Sequence, residues 1–505
     1  MSLADYEDYG ENYKSDDMEE QILRYSRALR KRRFNSGKEL NYSNRQSNRK
    51  ENFKEQSGNN DELPCLDTVE DIVYYCVESN KFKVAEEFCL LWTELAPYSS
   101  DAWQKLGIVL NNLNNYSGAI EAFDKSLSLN PHDCESLTNK AIALENKGSF
   151  RESLNTINEA LRYDPASEEA MFHKAIILSA NKKYMSAIEI FRYLSENESF
   201  KRDCYIELGV CFQNTGHFTR AIEYYDLAID ENPFDYSCWH NKGLAFQMNL
   251  QYLKAIDCFD MAIAIKDDFH LGWYSKGNCL ALTGRLNDAL DSYLEAAKHK
   301  PEDLDTMYNI ANTYTDLGDY MKAIAYFSHL LNFNPKHFGA FFGRGVCYDA
   351  LERYDEALID YNSALVFNRN NPELWYAKGD LLYNMDNNKG AIFCYKKVVE
   401  LEPNNVECWL DLGSTYIETD DFDESLKAFE TVIRLSPEWS EGYYHKSKLF
   451  IKYKDIAKSA HWLHMAILFE PKKADEFERD FYDFVDKPII NELKDELGIL
   501  MNKKK

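Results

Sequence analysis

Apolar side chains between residues 66 and 473 follow a helical spacing, and the whole pattern returns every 34 residues. Within a unit they fall at positions 4, 7, 8 and 11, then at 17, 20, 21, 24, 27 and 28. This predicts two short antiparallel helices per unit, in twelve units starting at residues 66, 100, 134, 168, 202, 236, 270, 304, 338, 372, 406 and 440. Prolines set the register. Nine of the twelve (Pro97, Pro131, Pro165, Pro233, Pro301, Pro335, Pro403, Pro437 and Pro471) are separated by multiples of 34 and take position 32. Proline has no N–H to offer and disfavours helix in the residue before it, so it ends the second helix. Ser199, Asp267 and Arg369 hold the other three slots.

Side-chain size follows the same register. Position 20 is Ala or Ser in all twelve units, from Ala85 to Ser459. Position 8 is Gly at Gly107, Gly209, Gly243, Gly277, Gly345, Gly379 and Gly413. Position 4 carries Trp103, Trp239, Trp273, Trp375 and Trp409, and positions 17 and 24 are mostly Phe or Tyr. Small residues at 8 and 20 let the two helices approach closely, and the aromatics fill the space around them. No unit can stand alone: ordering 34 residues costs about 50 kcal/mol at roughly 1.5 kcal/mol each, more than one hairpin recovers. Stability must come from neighbours stacked in series.

These residues resemble the tetratricopeptide repeat (TPR) family. The unit from Arg202 to Asp235 carries its pattern most fully, as Tyr205, Leu208, Gly209, Phe212, Ala221, Tyr225, Ala228 and Pro233. The resemblance spans about four-fifths of the chain and implies an all-α, right-handed superhelical solenoid of about twelve helical hairpins over residues 66–473. The first unit departs most, with Val73, Cys89 and Trp92 at positions 8, 24 and 27, and reads as a degenerate N-terminal cap. Residues 474–505 read as C-terminal capping helices with a Lys-rich end, Phe477, Phe481 and Phe484 keeping helical spacing.

Composition narrows the function. The 505 residues hold 58 Lys+Arg against 84 Asp+Glu, a net charge of −26 that disfavours nucleic acid and anionic lipid as ligands of the repeat body. No apolar stretch of 18 or more residues occurs, the N-terminus lacks a signal-peptide pattern, and the twelve cysteines show no close CxxC pair. A cytoplasmic protein is the expectation. The Asn-, Tyr- and Lys-rich composition fits a bacterial-type multi-repeat protein. Residues 1–62 differ: 1–20 carry a net −7 and 21–60 a net +8, which reads as a disordered tail. Within it Met18, Ile22, Tyr25 and Leu29 share one helical face. That stretch can be a solvated tail, a competitor that docks in the acidic groove of its own solenoid, or a basic nucleic-acid or targeting segment.

No enzyme signature is present: no phosphate loop, nucleophile elbow, zinc-protease motif or calcium loop. No catalytic residue, metal or cofactor is therefore expected. Asp420, Asp421, Asp423 and Glu424 read as an inter-helix turn, and the cysteines at position 10 (Cys211, Cys279 and Cys347) as buried hydrophobes.

What remains is surface. The resemblance implies a concave groove lined by positions 2, 5, 6, 9, 12 and 13 of the first helices. Position 5 runs Tyr274, Tyr308, Phe342, Tyr376, Leu410 and Tyr444 over the last six units. Asn309 takes position 6, and Asn278, Asn312 and Asp380 take position 9. Tyr274, Asn278, Tyr308, Asn309, Asn312, Phe342, Tyr376 and Asp380 are the candidate peptide-binding residues, the amides suited to backbone groups that burial would leave unsatisfied. The same residues also suit helix–helix contacts. The family's clamps for acidic chaperone C-termini use Lys and Arg that this chain lacks, apart from Lys105. The expected partner is a protein presenting a basic or neutral segment. An architectural role in a larger assembly, with association through end-face aromatics such as Trp92 or Phe484, is the alternative.

Overall fold

The computed structural model describes residues 18–30, 64–481 and 495. Every regular element among them is helical, as the all-α reading requires. Two compact units divide the chain, Met1–Lys254 and Ala255–Lys505.

The first unit opens with α1, residues 18–30. Five hairpins follow: α2–α3 (Leu66–Glu78, Phe82–Leu95), α4–α5 (Ser100–Asn112, Tyr116–Leu129), α6–α7 (Cys134–Asn146, Phe150–Tyr163), α8–α9 (Glu168–Ala180, Tyr184–Leu194) and α10–α11 (Lys201–Asn214, Phe218–Glu231). Then comes α12 (Tyr236–Met248). The division falls inside α13 (Tyr252–Ile265). The second unit continues through α14–α15 (His270–Leu282, Leu286–His299), α16–α17 (Leu304–Asp316, Tyr320–Phe333) and α18–α19 (Phe338–Ala350, Tyr354–Phe367). After these come α20–α21 (Pro372–Asn384, Asn388–Leu401), α22–α23 (Val406–Glu418, Phe422–Leu435), α24–α25 (Ser440–Lys452, Ile456–Phe469) and α26 (Lys473–Phe481).

Each sequence position has a physical task. The aromatic at position 24 lies flat on the bare backbone at position 8. A Cβ on Gly209 would sit 2.5 Å from the Tyr225 ring, and one on Gly379 would sit 2.6 Å from Tyr395. Tryptophan at position 4 clasps the preceding unit: the indole N–H of Trp103, Trp239, Trp273, Trp375 and Trp409 donates to the carbonyl at position 32, at 2.8–3.0 Å. Tyr443 does the same with its hydroxyl, at 2.8 Å from the Pro437 carbonyl. First helices start on capping side chains such as Ser99, Asp133, Asp303 and Asn405, which accept from the first-turn N–H groups. Position 15 of every hairpin turn is left-handed, φ between 55° and 84°, whether the residue is Gly148, Asn114 or Glu352. Asp420 and Asp421 lie in such a turn, as the charge run suggests, but the reading is corrected for Asp423 and Glu424, which belong to the first turn of the helix Phe422–Leu435, where acids suit the helix dipole.

A recurring ion pair joins successive hairpins. Position 7 is a lysine in several units, and its amine meets the position 25 carboxylate of the hairpin before: Lys140–Asp124 at 2.7 Å, Lys242–Asp226 at 2.5 Å, Lys276–Asp260 at 2.7 Å and Lys446–Glu430 at 3.0 Å. In α18 the same position is Arg344. It grips Asp360 of α19 through two nitrogens at 2.7 and 2.8 Å and donates to Ser328 of α17 at 2.9 Å.

The ends are closed by helices. The tail expected over 1–62 is corrected at 18–30, where α1 is helical and buries Ile22 and Leu29 in one cluster with Val69, Ile72 and Leu91 of the first hairpin. The face shared by Met18, Ile22, Tyr25 and Leu29 is the one that docks, and it does so on that hairpin; the rest of the tail lies outside the described residues. Trp92 is buried in the same cluster and offers no end-face aromatic. At the other end Phe477 of α26 is buried with Tyr443 and Tyr444, while Asp480 accepts from the Tyr444 hydroxyl at 2.8 Å. The side chains of Phe481 and Phe484 lie outside the described residues.

Candidate functional site

The candidate residues all belong to the second unit, on the first helices α14, α16, α18 and α20. Tyr274, Tyr308, Phe342 and Tyr376 are half-buried. Each leans on the position 24 aromatic of its own hairpin, with centroids 6.0 Å apart for Tyr274–Tyr293, 6.0 Å for Tyr308–Phe327, 5.9 Å for Phe342–Tyr361 and 5.8 Å for Tyr376–Tyr395. The ladder is therefore part scaffold, and its rings remain partly accessible.

The polar candidates form two groups. In the first, the Asn309 amide donates to Asn278 Oδ1 at 3.0 Å and to the Tyr274 hydroxyl oxygen at 3.2 Å, while Tyr293 donates to the same Asn278 oxygen at 2.7 Å. Asn312, half-buried on α16, has no side-chain hydrogen bond among the described residues. In the second group, the Tyr395 hydroxyl donates to Asp380 at 2.7 Å and that of Tyr376 donates to Asp411.

Sequence reading missed the row that these groups define. Positions 12, 9 and 6 of consecutive hairpins lie side by side, which places residues 31 apart next to one another. Asn278–Asn309 and Ser414–His445 (3.0 Å) are examples. Asp349, Asp380 and Asp411 occupy the same diagonal on α18, α20 and α22. The signal in the sequence is the 31-residue interval between the acids, each at a position that the resemblance assigns to the groove.

Electrostatically this row is strained toward protonation. Burial pushes the Asp380 carboxyl up to about 6, and the charges of Asp411 and Asp349 push the same way against the Tyr395 hydrogen bond. Burial also raises Asp349 and Asp411, whose tyrosine hydrogen bonds oppose it. Among the described residues no Lys or Arg forms an ion pair with any of the three. Desolvated carboxylates with hydroxyl donors but no cation are suited to receive a guanidinium or ammonium group. Cysteines at position 10 are buried instead, and burial pushes the Cys279 thiol up to about 11, away from nucleophilic chemistry. Among the described residues no set of three or more His, Cys, Asp or Glu is placed to hold a metal ion, and no helix is long and apolar enough to cross a membrane.

Tetratricopeptide repeat family models match residues 100–133, 138–200, 308–373, 372–405 and 394–427. The chain is a tetratricopeptide repeat protein. A protein prenyltransferase alpha subunit repeat model also matches residues 218–249. No curated protein matches the sequence. Among solved structures, YrrB, described as a TPR protein with an unusual peptide-binding site, is 20% identical, with 36% of this chain and 95% of that chain covered at a TM-score of 0.33. The Cut9–Hcn1 hetero-tetramer of the APC/C is 12% identical, covering 77% and 96% at 0.38. The C-terminal part of a TPR repeat-containing protein from Cytophaga hutchinsonii is 22% identical, covering 47% and 97% at 0.38. The TPR array is the architecture of a protein-interaction scaffold, a fold typically non-enzymatic.

Proposed function

We propose that this TPR protein holds a basic segment of a partner protein along the first-helix face of its second unit. The position 5 rings would seat apolar side chains of that segment, Asn278, Asn309 and Asn312 its backbone, and the Asp349–Asp380–Asp411 row its lysine or arginine side chains. The observation that carries the reading is that row: three part-buried carboxylates, raised in pKa and lacking a cation among the described residues. A net charge of −26 would add long-range attraction for such a partner. No catalytic group, cofactor or metal takes part.

The test is binding of labelled basic and acidic peptides of equal length, read by fluorescence anisotropy. The basic peptide is expected to bind tighter, to weaken as salt rises, and to lose about tenfold in affinity (~1.4 kcal/mol) with Asp380→Asn. Affinity should also fall as pH drops from 7.5 through about 6, where Asp380 takes up its proton. Stability moves in the opposite sense. A carboxyl whose folded pKa lies above its unfolded value near 4 is a burden that grows as pH rises from about 4 through 6. Asp380→Asn should therefore be the more stable protein at pH 7.5 and the weaker binder. Equal affinity for the acidic peptide, or insensitivity to salt, would sink the reading.

A further inference from the structure

The first hairpin is covered by α1, a helix from outside the repeats. Position 10 of a first helix normally faces the hairpin before it: Cys211 meets Ser179 at 3.5 Å, and Cys347 meets Thr315 at 3.2 Å. At Tyr75, position 10 of α2, the neighbour is α1: the Tyr75 hydroxyl donates to Glu19 at 3.3 Å, and Lys81 forms an ion pair with the same carboxylate. At the other end of α1, Arg30 approaches Glu87 of α3 at 3.7 Å. Position 26 gives the comparison in burial. Tyr193 and Leu227 are 59% and 42% exposed there, whereas Leu91 is 3% exposed, in the cluster that holds Ile22 and Leu29.

We propose that this end of the first hairpin is a separate helix-binding site, filled in cis by residues 18–30 and open to an amphipathic helix of the same chemistry from a partner. The cis helix defines that chemistry. It carries apolar side chains at Met18, Ile22, Tyr25 and Leu29, an acid at its start for Lys81, and an arginine at its end for Glu87. The charges also suit the helix dipole, acidic first and basic last. Thirteen residues form a helix too short to be stable alone in water, and the docked face has few fully buried side chains. Residues 31–63 join it to its receptor, so it holds the site by proximity as much as by contact area. A partner helix with the same pattern can therefore compete for the site.

The probe is a labelled synthetic peptide of residues 17–33, and the receptor is the full chain. Ile22→Asp with Leu29→Asp undocks the cis helix, and this variant is expected to bind the peptide at least tenfold tighter than wild type. A peptide carrying the same two aspartates should not bind. Adding Lys81→Glu to the variant should weaken the normal peptide at least fivefold, and a Glu19→Lys peptide should recover that loss. A folded variant that binds no better than wild type overturns the proposal, as does binding indifferent to the charge exchange. If the empty hairpin loses amide protection, saturating peptide must restore protection in α2 and α3, and failure to do so also overturns it. Concentration-dependent dimerisation of wild type by light scattering would show that a second copy supplies the helix, against the assignment in cis.

Discussion

The two units share a scaffold and differ on the face it displays. Clasping tryptophans, bare glycines under aromatics, and left-handed turns occur in both. Position 5 does not follow them. In the first unit it reads Glu70, Gln104, Thr138, Phe172, Ile206 and His240, and in the second Tyr274, Tyr308, Phe342, Tyr376, Leu410 and Tyr444. The acids differ as well. The first unit has Glu207, which burial pushes up to about 7 with help from Asp203 and Glu145, but no run of three hairpins on one diagonal. Residues that make the same contact in every hairpin are held to one type, whereas position 5 is not: Gln104, Thr138 and His240 are buried there in the first unit, and Tyr274, Tyr308, Phe342 and Tyr376 are half-buried in the second, so this is a face where a ligand preference can reside.

The sharpest break in the scaffold's uniformity is Arg344–Asp360, a charged pair set among core residues in the second unit. Asp360 is buried, and the guanidinium holds it through two hydrogen bonds. Asp360→Ala leaves Arg344 without its counter-charge, and the expected loss is about 3–5 kcal/mol by urea unfolding. Hydrogen exchange should place that loss in α17 to α19 and leave the first unit unchanged, since a stacked array transmits stability chiefly to nearest neighbours. Replacing both residues by leucine should recover most of it. A single variant within 1 kcal/mol of wild type would mean that the pair is not sealed from water.

Where the units agree, equal substitutions should cost equal amounts. Gly209→Ala and Gly379→Ala each drive a methyl into a ring from 2.5–2.6 Å, and each should cost about 1–3 kcal/mol. Neither should change affinity for a basic peptide beyond what lost folding explains. A cost confined to one unit would show that the shared pattern hides different packing.

This division also explains what could be read from sequence. Gly at 8, Ala or Ser at 20, the aromatic at 24 and proline at 32 recur along the chain because each solves the same contact each time, and repetition makes them legible. Relations between hairpins are harder. Lys140 and Asp124 are 16 residues apart, and the lysine stands where the family has leucine, so it reads as a departure and not as half of a pair. Asp349, Asp380 and Asp411 each stand at a groove position (12, 9 and 6), but their grouping was not legible, because it depends on how neighbouring hairpins are offset. The apolar face of α1 was visible as Met18, Ile22, Tyr25 and Leu29, whereas its receptor occurs once and so leaves no periodic trace.

The smallest effect tests whether turns are interchangeable between units. Glu352, at position 15 of the α18–α19 turn, has φ of 57°, and Gly216 holds the same place in the α10–α11 turn at 78°. A side chain in this region is strained, and glycine relieves it while adding freedom to the unfolded chain. The two terms oppose each other, and relief of strain is expected to win, so Glu352→Gly should raise stability by about 0.5–1 kcal/mol. Gly216→Ala should lower it by a similar amount. Nothing lies within 4 Å of a Cβ built at Gly216, so backbone conformation alone sets the sign there. If thermal unfolding moves both variants in the same direction, the turns do not share one conformational cost, and the equivalence of the two scaffolds fails at its simplest point.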